Sequence, residues 1–525
     1  MVKKLLFFAA LAAVFVTLSA GTFSGEVAGF NECLERSWEK HRVTPGAVID
    51  DAAFFRRLSF RVLGRLPKVD ELKSFISDRD PEKRAKLIDA FLDTPVFAET
   101  MAMRYADMFR IKSEFPINLW PNAVQCYHRY FYQLTLEDRS WRKVAEELLV
   151  SNGSNFRIAP ANFFRANADR TPKGLAAGTA LALMNFNPGS MSKKEQELFA
   201  AFFSRVRFKS TKEWKEEIVY NDPAAAELQC RTPDGRVFRI NTAEQDPRRV
   251  FADWLCDEDN PILARAYVNR AWYWMTGIGI ANPVDDMALP RQGMWERLFG
   301  ETRPNDPADE AVMAHLTAYF KKHAFSTRAL YRLILNSRAF QADWRCKPSE
   351  LARHEKYLAV YPVRRLESEI ICDALSSLTR NYERFVSVIP EPFTFIPRGS
   401  SAVSLADGSM STGTLDKFGR SPRDSGKISE RNNNSTGAQR LHLMNSGVLY
   451  SQITRLPGYV FRGRGMTWDT QLDLAYLTVL SRYPTVNERR AAQKYHNNFS
   501  PRMRWKFWQD LFWALVNTSE FSYHH

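Results

Sequence analysis

The stretch Asp51-Ala-Ala-Phe-Phe-Arg-Arg-Leu-Ser-Phe-Arg-Val-Leu-Gly-Arg-Leu-Pro67 decides how the chain is read. Phe54, Phe55, Leu58, Val62 and Leu66 recur at helical steps and make one apolar face, while Arg57, Arg61 and Arg65 follow at four-residue intervals on another. Gly64 and Pro67 close the element. The same grammar recurs downstream. Asp80-Pro81-Glu82, Asp246-Pro247 and Asn260-Pro261 each place a capping side chain ahead of a proline suited to the first turn. Apolar runs of helical period cover residues 310–323, 326–340, 365–379, 470–481, 486–497 and 502–518.

Strand signals are confined to 216–240: Glu216 to Asn221 is β-prone, and so is Leu228 to Ile240, which the hairpin-type turn signal Pro233-Asp234-Gly235 splits in two. The fold class expected is therefore mainly α, two helical domains with a small β-hairpin element near 216–240. The hairpin separates two helical blocks and sets the expected division: a helical domain over 50–240 and a second over 246–523, preceded by an extension over 21–49. The second block contains a long irregular loop, 385–436, with three prolines, a Ser/Gly-rich run and Arg431-Asn-Asn-Asn-Ser435. Loops of that length in compact domains carry function or are disordered.

With 45% hydrophobic and 25% charged residues, 24 glycines and 26 prolines in 525, the composition is that of a globular protein and excludes collagen, coiled coil and global disorder. Lys3 and Lys4, the apolar run 5–18 and Ser19-Ala20 have the three parts of a secretory signal peptide, and the run is too short to span a bilayer. The chain is expected to be exported, to the periplasm or beyond, with residues 1–20 removed and no transmembrane helix in the mature protein.

The formal charge is +14, and Lys417 to Arg464 holds nine Lys or Arg against Asp424 and Glu430. Export takes nucleic acid out of reach. Anionic polysaccharide, or another envelope protein, is the expected partner. Equally, these arginines could tie down the irregular segment through carbonyl and carboxylate contacts. Six cysteines at wide spacing permit up to three disulfides without requiring any, and Cys256 and Cys372 lie in apolar helical patterns.

Catalytic signatures are sparse. There is no H-E-x-x-H, no glycine-rich phosphate loop after a strand and no G-x-S-x-G. No cofactor or metal is predicted. Asp285 and Asp286, after the turn at Gly277-Ile-Gly279, are the candidate catalytic acids, since paired carboxylates can do acid–base work; adjacent acids also serve as caps. The candidate ligand-binding set is Arg270, Arg420, Arg423, Glu430, Arg431 and Asn445, with Arg364 and Arg365 expected to begin a helix nearby. Guanidinium forks suit carboxylate, sulfate or phosphate. Trp272 and Trp274 could stack on sugars, although at least one should be core.

The opening stretch, followed by Asp80-Pro-Glu-Lys-Arg-Ala-Lys-Leu-Ile-Asp89, resembles the domain of unknown function 1549, common in exported proteins of planctomycetes. Asp246-Pro-Arg-Arg249, Val268-Asn-Arg-Ala-Trp272, Pro283-Val-Asp-Asp286, Phe418-Gly-Arg-Ser-Pro-Arg423, Leu443-Met-Asn445 and Leu480-Ser-Arg-Tyr-Pro484 resemble its partner, the domain of unknown function 1553. The resemblance covers nearly the whole mature chain and implies export and two domains, with no established activity. Many relatives carry a C-x-x-C-H-type haem stretch in the first domain. The place implied here, Leu181-Ala-Leu-Met-Asn-Phe-Asn-Pro188, has neither cysteine nor histidine, so no haem is expected.

Two functional classes follow. One is a non-catalytic binding or scaffold module at the cell envelope, with anionic polysaccharide as a ligand. The other is a hydrolase acting on anionic or sulfated glycans. Electron transfer comes third, because its ligands are missing.

Overall fold

The computed structural model describes residues 23–290, 301, 303–390, 393–462 and 465–525; the predicted signal peptide lies outside them, as does Arg464. The fold is mainly α. The expected extension is itself helical over 23–40, and its Phe30 meets Trp272 edge-on at 6.2 Å.

The opening stretch is a helix from Asp51 to Leu58, with the Asp50 side chain accepting from Ala53 N, and it continues as a π-helical turn from Ser59 to Leu63. Gly64 ends it at φ 58°. Periodicity finds the apolar face, but the arginine face is buried too. Arg57 is 1% exposed and donates to Ala342 O at 2.9 Å, and Arg61 is 2% exposed and donates to the Tyr361 hydroxyl at 2.8 Å. A helix packed on both sides shows the same period as a surface helix. The Asp80-Pro81 signal marks a turn, and the helix it introduces begins at Lys83.

The β content is slightly larger than the hairpin expected. That hairpin is present, with Glu227–Arg231 antiparallel to Val237–Asn241 around a loop in which Gly235 takes φ 96°. Glu217–Asn221, the other β-prone run, is the centre of a separate three-stranded sheet, between Gly153–Ser154 and Val206–Ser210. Arg364–Arg365 pairs with Tyr523–His524 as a short antiparallel ribbon. This corrects the expectation that Arg364 and Arg365 begin a helix: their partners lie at the far end of the chain, and the helix starts at Ser368.

The largest core draws chiefly on residues from Phe30 to Tyr361, on both sides of 241–246, with Ala406 and Leu477 from further along the chain. Tyr105 and Tyr267 join hydroxyls at 2.6 Å inside it, and Tyr267 meets Tyr331 at 3.1 Å. Both Trp272 and Trp274 are buried there, as is Met184. A second core unites Phe60, Leu66 and Met103 with residues from Leu366 to Phe521. The helix Pro95–Met108 therefore lies between two cores, with Tyr105 facing one and Met103 the other. None of the six cysteines is paired. Among the described residues no helix is long and apolar enough to cross a membrane.

Candidate functional site

The seam between the two cores is polar, and four elements build it. Pro95–Met108 is started by Pro95 and by Thr94, whose hydroxyl accepts from Phe97 N, and it brings Arg104 and Asp107 to its C-terminal half. Ile262–Thr276, closed by Gly277 at φ 84°, brings Arg270, Tyr273 and Trp274. The chain ahead of Ser368–Thr379 brings Glu367, and the helix itself Glu369. The irregular segment brings Arg420, Arg423 and Arg431.

Arg420 and Arg423 are buried and Arg431 is largely so, and all three are matched to acids. Arg423 donates through Nε to Asp107 Oδ1 at 2.9 Å and through Nη1 to Ala406 O at 2.7 Å. Arg431 donates to Asp107 Oδ2 at 2.7 Å and grips Glu369 with both Nη atoms, at 2.6 and 3.0 Å. Arg420 reaches Glu369 Oε1 at 3.3 Å and Asp407 O at 3.2 Å. Bidentate guanidinium–carboxylate geometry of this kind is strong and directional. Burial alone would raise the Glu369 carboxyl, yet Arg431 and Arg420 hold it at about 2. Burial, with Arg423 alongside, lowers Arg420 to about 10. Arg365 joins by donating to Phe418 O and Asn432 O, both at 2.7 Å.

Glu367 accepts from Arg61 at 3.3 Å and from the ring of His524 at 3.2 Å. Its burial is outweighed by His524, Arg61 and Arg104, which keep it well below the usual carboxylate range. Arg104 donates to Arg61 O at 2.7 Å.

Arg270 is 1% exposed and held from the first half of the chain. Its Nη2 meets Asn185 Oδ1 at 2.7 Å and Asp285 Oδ1 at 3.3 Å. Asn185 sits at φ 49°, closing the helix Pro172–Met184, and donates in turn to Ala266 O at 2.8 Å. Thus the stretch expected to lack haem ligands supplies an arginine clamp. Asp285 Oδ2 accepts from Ile428 N at 2.7 Å and pins the basic loop to the turn after Ile262–Thr276. Gly426, at φ 79°, passes so close to this wall that a Cβ there would stand 2.7 Å from Met108 O.

Between these groups lies a cavity of about 40 Å³. Met103, Arg104, Asp107, Arg270, Tyr273 and Glu367 line it from the helices, and Lys427, Ile428, Arg431 and Asn433 from the loop. Of the sequence candidates, Arg270 and Arg431 line the cavity; Arg423 and Asp285 stand behind it as partners of lining groups, and Arg420 stands one step further back, on the Glu369 that Arg431 grips. Glu430 braces the loop by accepting from Ser425 N at 2.6 Å. Asp286 and Asn445 are not in the wall: Asp286 is half-buried with its carbonyl on Asn305, and Asn445 is exposed at the end of Gly437–Asn445. Sequence reading missed Arg104, Asp107, Glu367 and Lys427. The first three lie in helical or pre-helical stretches where a charged residue reads as surface. Among the described residues no cluster of side chains is suited to hold a metal ion.

Residues 30–208 match the family model described as a protein of unknown function (DUF1549), and residues 247–496 the one described as a protein of unknown function (DUF1553). No curated protein and no solved structure matches the chain.

Proposed function

We propose that this chain, which carries DUF1549 and DUF1553 in tandem, is a binding module whose seam cavity takes an anionic group of an envelope polysaccharide. The observation that carries this reading is the charge of the wall, where Arg104, Arg270, Lys427 and Arg431 outnumber Asp107 and Glu367. Lys427 is exposed at the rim and is not part of the buried network. A water-sized guest needs roughly 10–15 Å³ of such space. About 40 Å³ therefore admits a carboxylate or sulfate head, while the sugar ring stays outside.

The same geometry favours binding over hydrolysis. Glycosidic cleavage by paired acids uses one carboxyl kept protonated by a raised pKa. Glu367 is held ionised by His524, Arg61 and Arg104, so it has no proton to give near neutral pH.

Thermal melts of the chain with heparin, polygalacturonate and neutral dextran test the reading. The expected result is a higher melting temperature with the two polyanions, fading as salt is added, and none with dextran. No shift with either polyanion would overturn it. Release of new reducing ends from either substrate would replace it with the hydrolase.

A further inference from the structure

A second, larger cavity of about 310 Å³ lies between the helices Ser368–Thr379, Gly437–Asn445 and Gly447–Ile453, and shares no lining residue with the seam. Its volume reaches the range of sites that enclose small molecules, and a position between packed helices is one where such sites occur. Its apolar lining includes Leu375, Leu449 and the exposed Val448. Asn381, Glu383, His442 and Gln452 line it too. Among the described residues none of these four side chains has a hydrogen-bond partner, although each presents donors, acceptors or both.

Two other polar groups of the lining are already committed to the fold. Thr379 Oγ1 donates to Leu375 O at 2.8 Å, and Ser446 Oγ accepts from Leu449 N at 3.3 Å as a helix cap. The uncommitted set is thus distinct from these. Its charge is low. Glu383 is the one carboxylate in the lining, and burial together with Lys417 keeps the His442 ring neutral. An imidazole, two amides and a carboxylate supply both donors and acceptors, which hydroxyl groups can meet. The apolar residues of the lining can accept the C–H face of a ring.

We infer that this cavity is a second binding site, for a neutral, hydroxyl-rich ligand of about one sugar ring. It differs from the seam in wanting no anion, so the two can be told apart. The test is saturation-transfer NMR on the whole chain with methyl glucoside and N-acetylglucosamine as probes. Saturation should reach at least one of the sugars and should not fade with salt. It should drop several-fold in the Asn381→Ala, Gln452→Ala double variant and persist in Lys427→Glu. Because neither replaced side chain holds the fold by a hydrogen bond, the double variant should melt within a few degrees of the parent. Val448→Trp, at an exposed position on the rim, should also reduce transfer by narrowing the entrance, and it decides the matter if the double variant does not fold. No transfer to either sugar, or transfer unchanged in a folded double variant or in Val448→Trp, overturns the inference.

Discussion

Asp107 and Arg431, 324 positions apart in the sequence, meet at 2.7 Å across the seam between the two cores. Asp107 gives its other oxygen to Arg423, and Arg431 gives its remaining nitrogens to Glu369, so one carboxylate and one guanidinium join a DUF1549 helix to the loop and helix of DUF1553. Removing one member breaks hydrogen bonds to a charged group but leaves the other its second partner, Arg423 for Asp107 and Glu369 for Arg431, so the cost is about 1–3 kcal/mol rather than that of an isolated buried charge. Asp107→Asn and Arg431→Gln should each lower stability on that scale in urea unfolding. The double variant should lose less than the sum, with a coupling of about 1–3 kcal/mol. Additive losses would mean that the two residues do not act on each other.

The loop must run flush against the helix end. Gly426 has φ 79°, and an added Cβ would stand 2.7 Å from Met108 O, a backbone atom that cannot step aside. Gly426→Ala should therefore displace the cavity wall, costing about 1 kcal/mol or more in stability and weakening polyanion binding as well. Gly437→Ala, where a Cβ meets nothing within 4 Å, is the control and should change neither.

Helical period makes most helices legible, and the cluster Arg420, Arg423 and Arg431 is legible because it is close in sequence. Its neutralising acids are not. Asp107 reads as a polar position near a helix end, and nothing local announces a partner 324 residues on. Period likewise cannot separate a solvated arginine face from a packed one, and Arg57 and Arg61, set on a face of their own by the period, are buried. Arg364 and Arg365 read as the start of a helix because their strand partners, Tyr523 and His524, lie at the far end of the chain.

Acid should destabilise the protein from pH 6.5 downward. Burial lowers His128 and His524 to about 3 in the fold, while the unfolded chain titrates near 6.5. Neutral histidine is favoured by folding, so this stability is complete above 6.5 and is lost as pH falls towards 3. Glu369 and Glu488, both lowered to about 2, add a further loss between 4.5 and 2. Asp373, raised by burial to about 6, runs the other way: protonation restores stability that it loses as pH rises from 3.8 to 6. Two histidines outweigh one aspartate. The urea midpoint should fall from pH 7.5 to pH 5, and a flat or rising profile would refute the sign.

All six cysteines are free thiols, with Cys33, Cys230, Cys256 and Cys372 buried and Cys126 and Cys346 half-buried. Burial pushes the Cys230 and Cys256 thiols up to about 12, which removes thiolate at neutral pH. Without reductant, the native protein should react with a thiol reagent at Cys126 and Cys346 alone. In denaturant it should take up six equivalents. Any smaller number in denaturant would reveal a disulfide and contradict the unpaired arrangement.

If the seam receives an anion through a cation left at its rim, Lys427 isolates that effect, because its side chain is exposed and outside the buried network. The most direct measurement is calorimetric titration of a heparin-derived oligosaccharide into the parent and into Lys427→Glu, with melting temperatures taken on the same samples. The prediction is binding that weakens at least several-fold in the variant and fades with salt, at a melting temperature within a few degrees of the parent. Equal affinity of the folded variant, or no heat with either protein, would contradict the account.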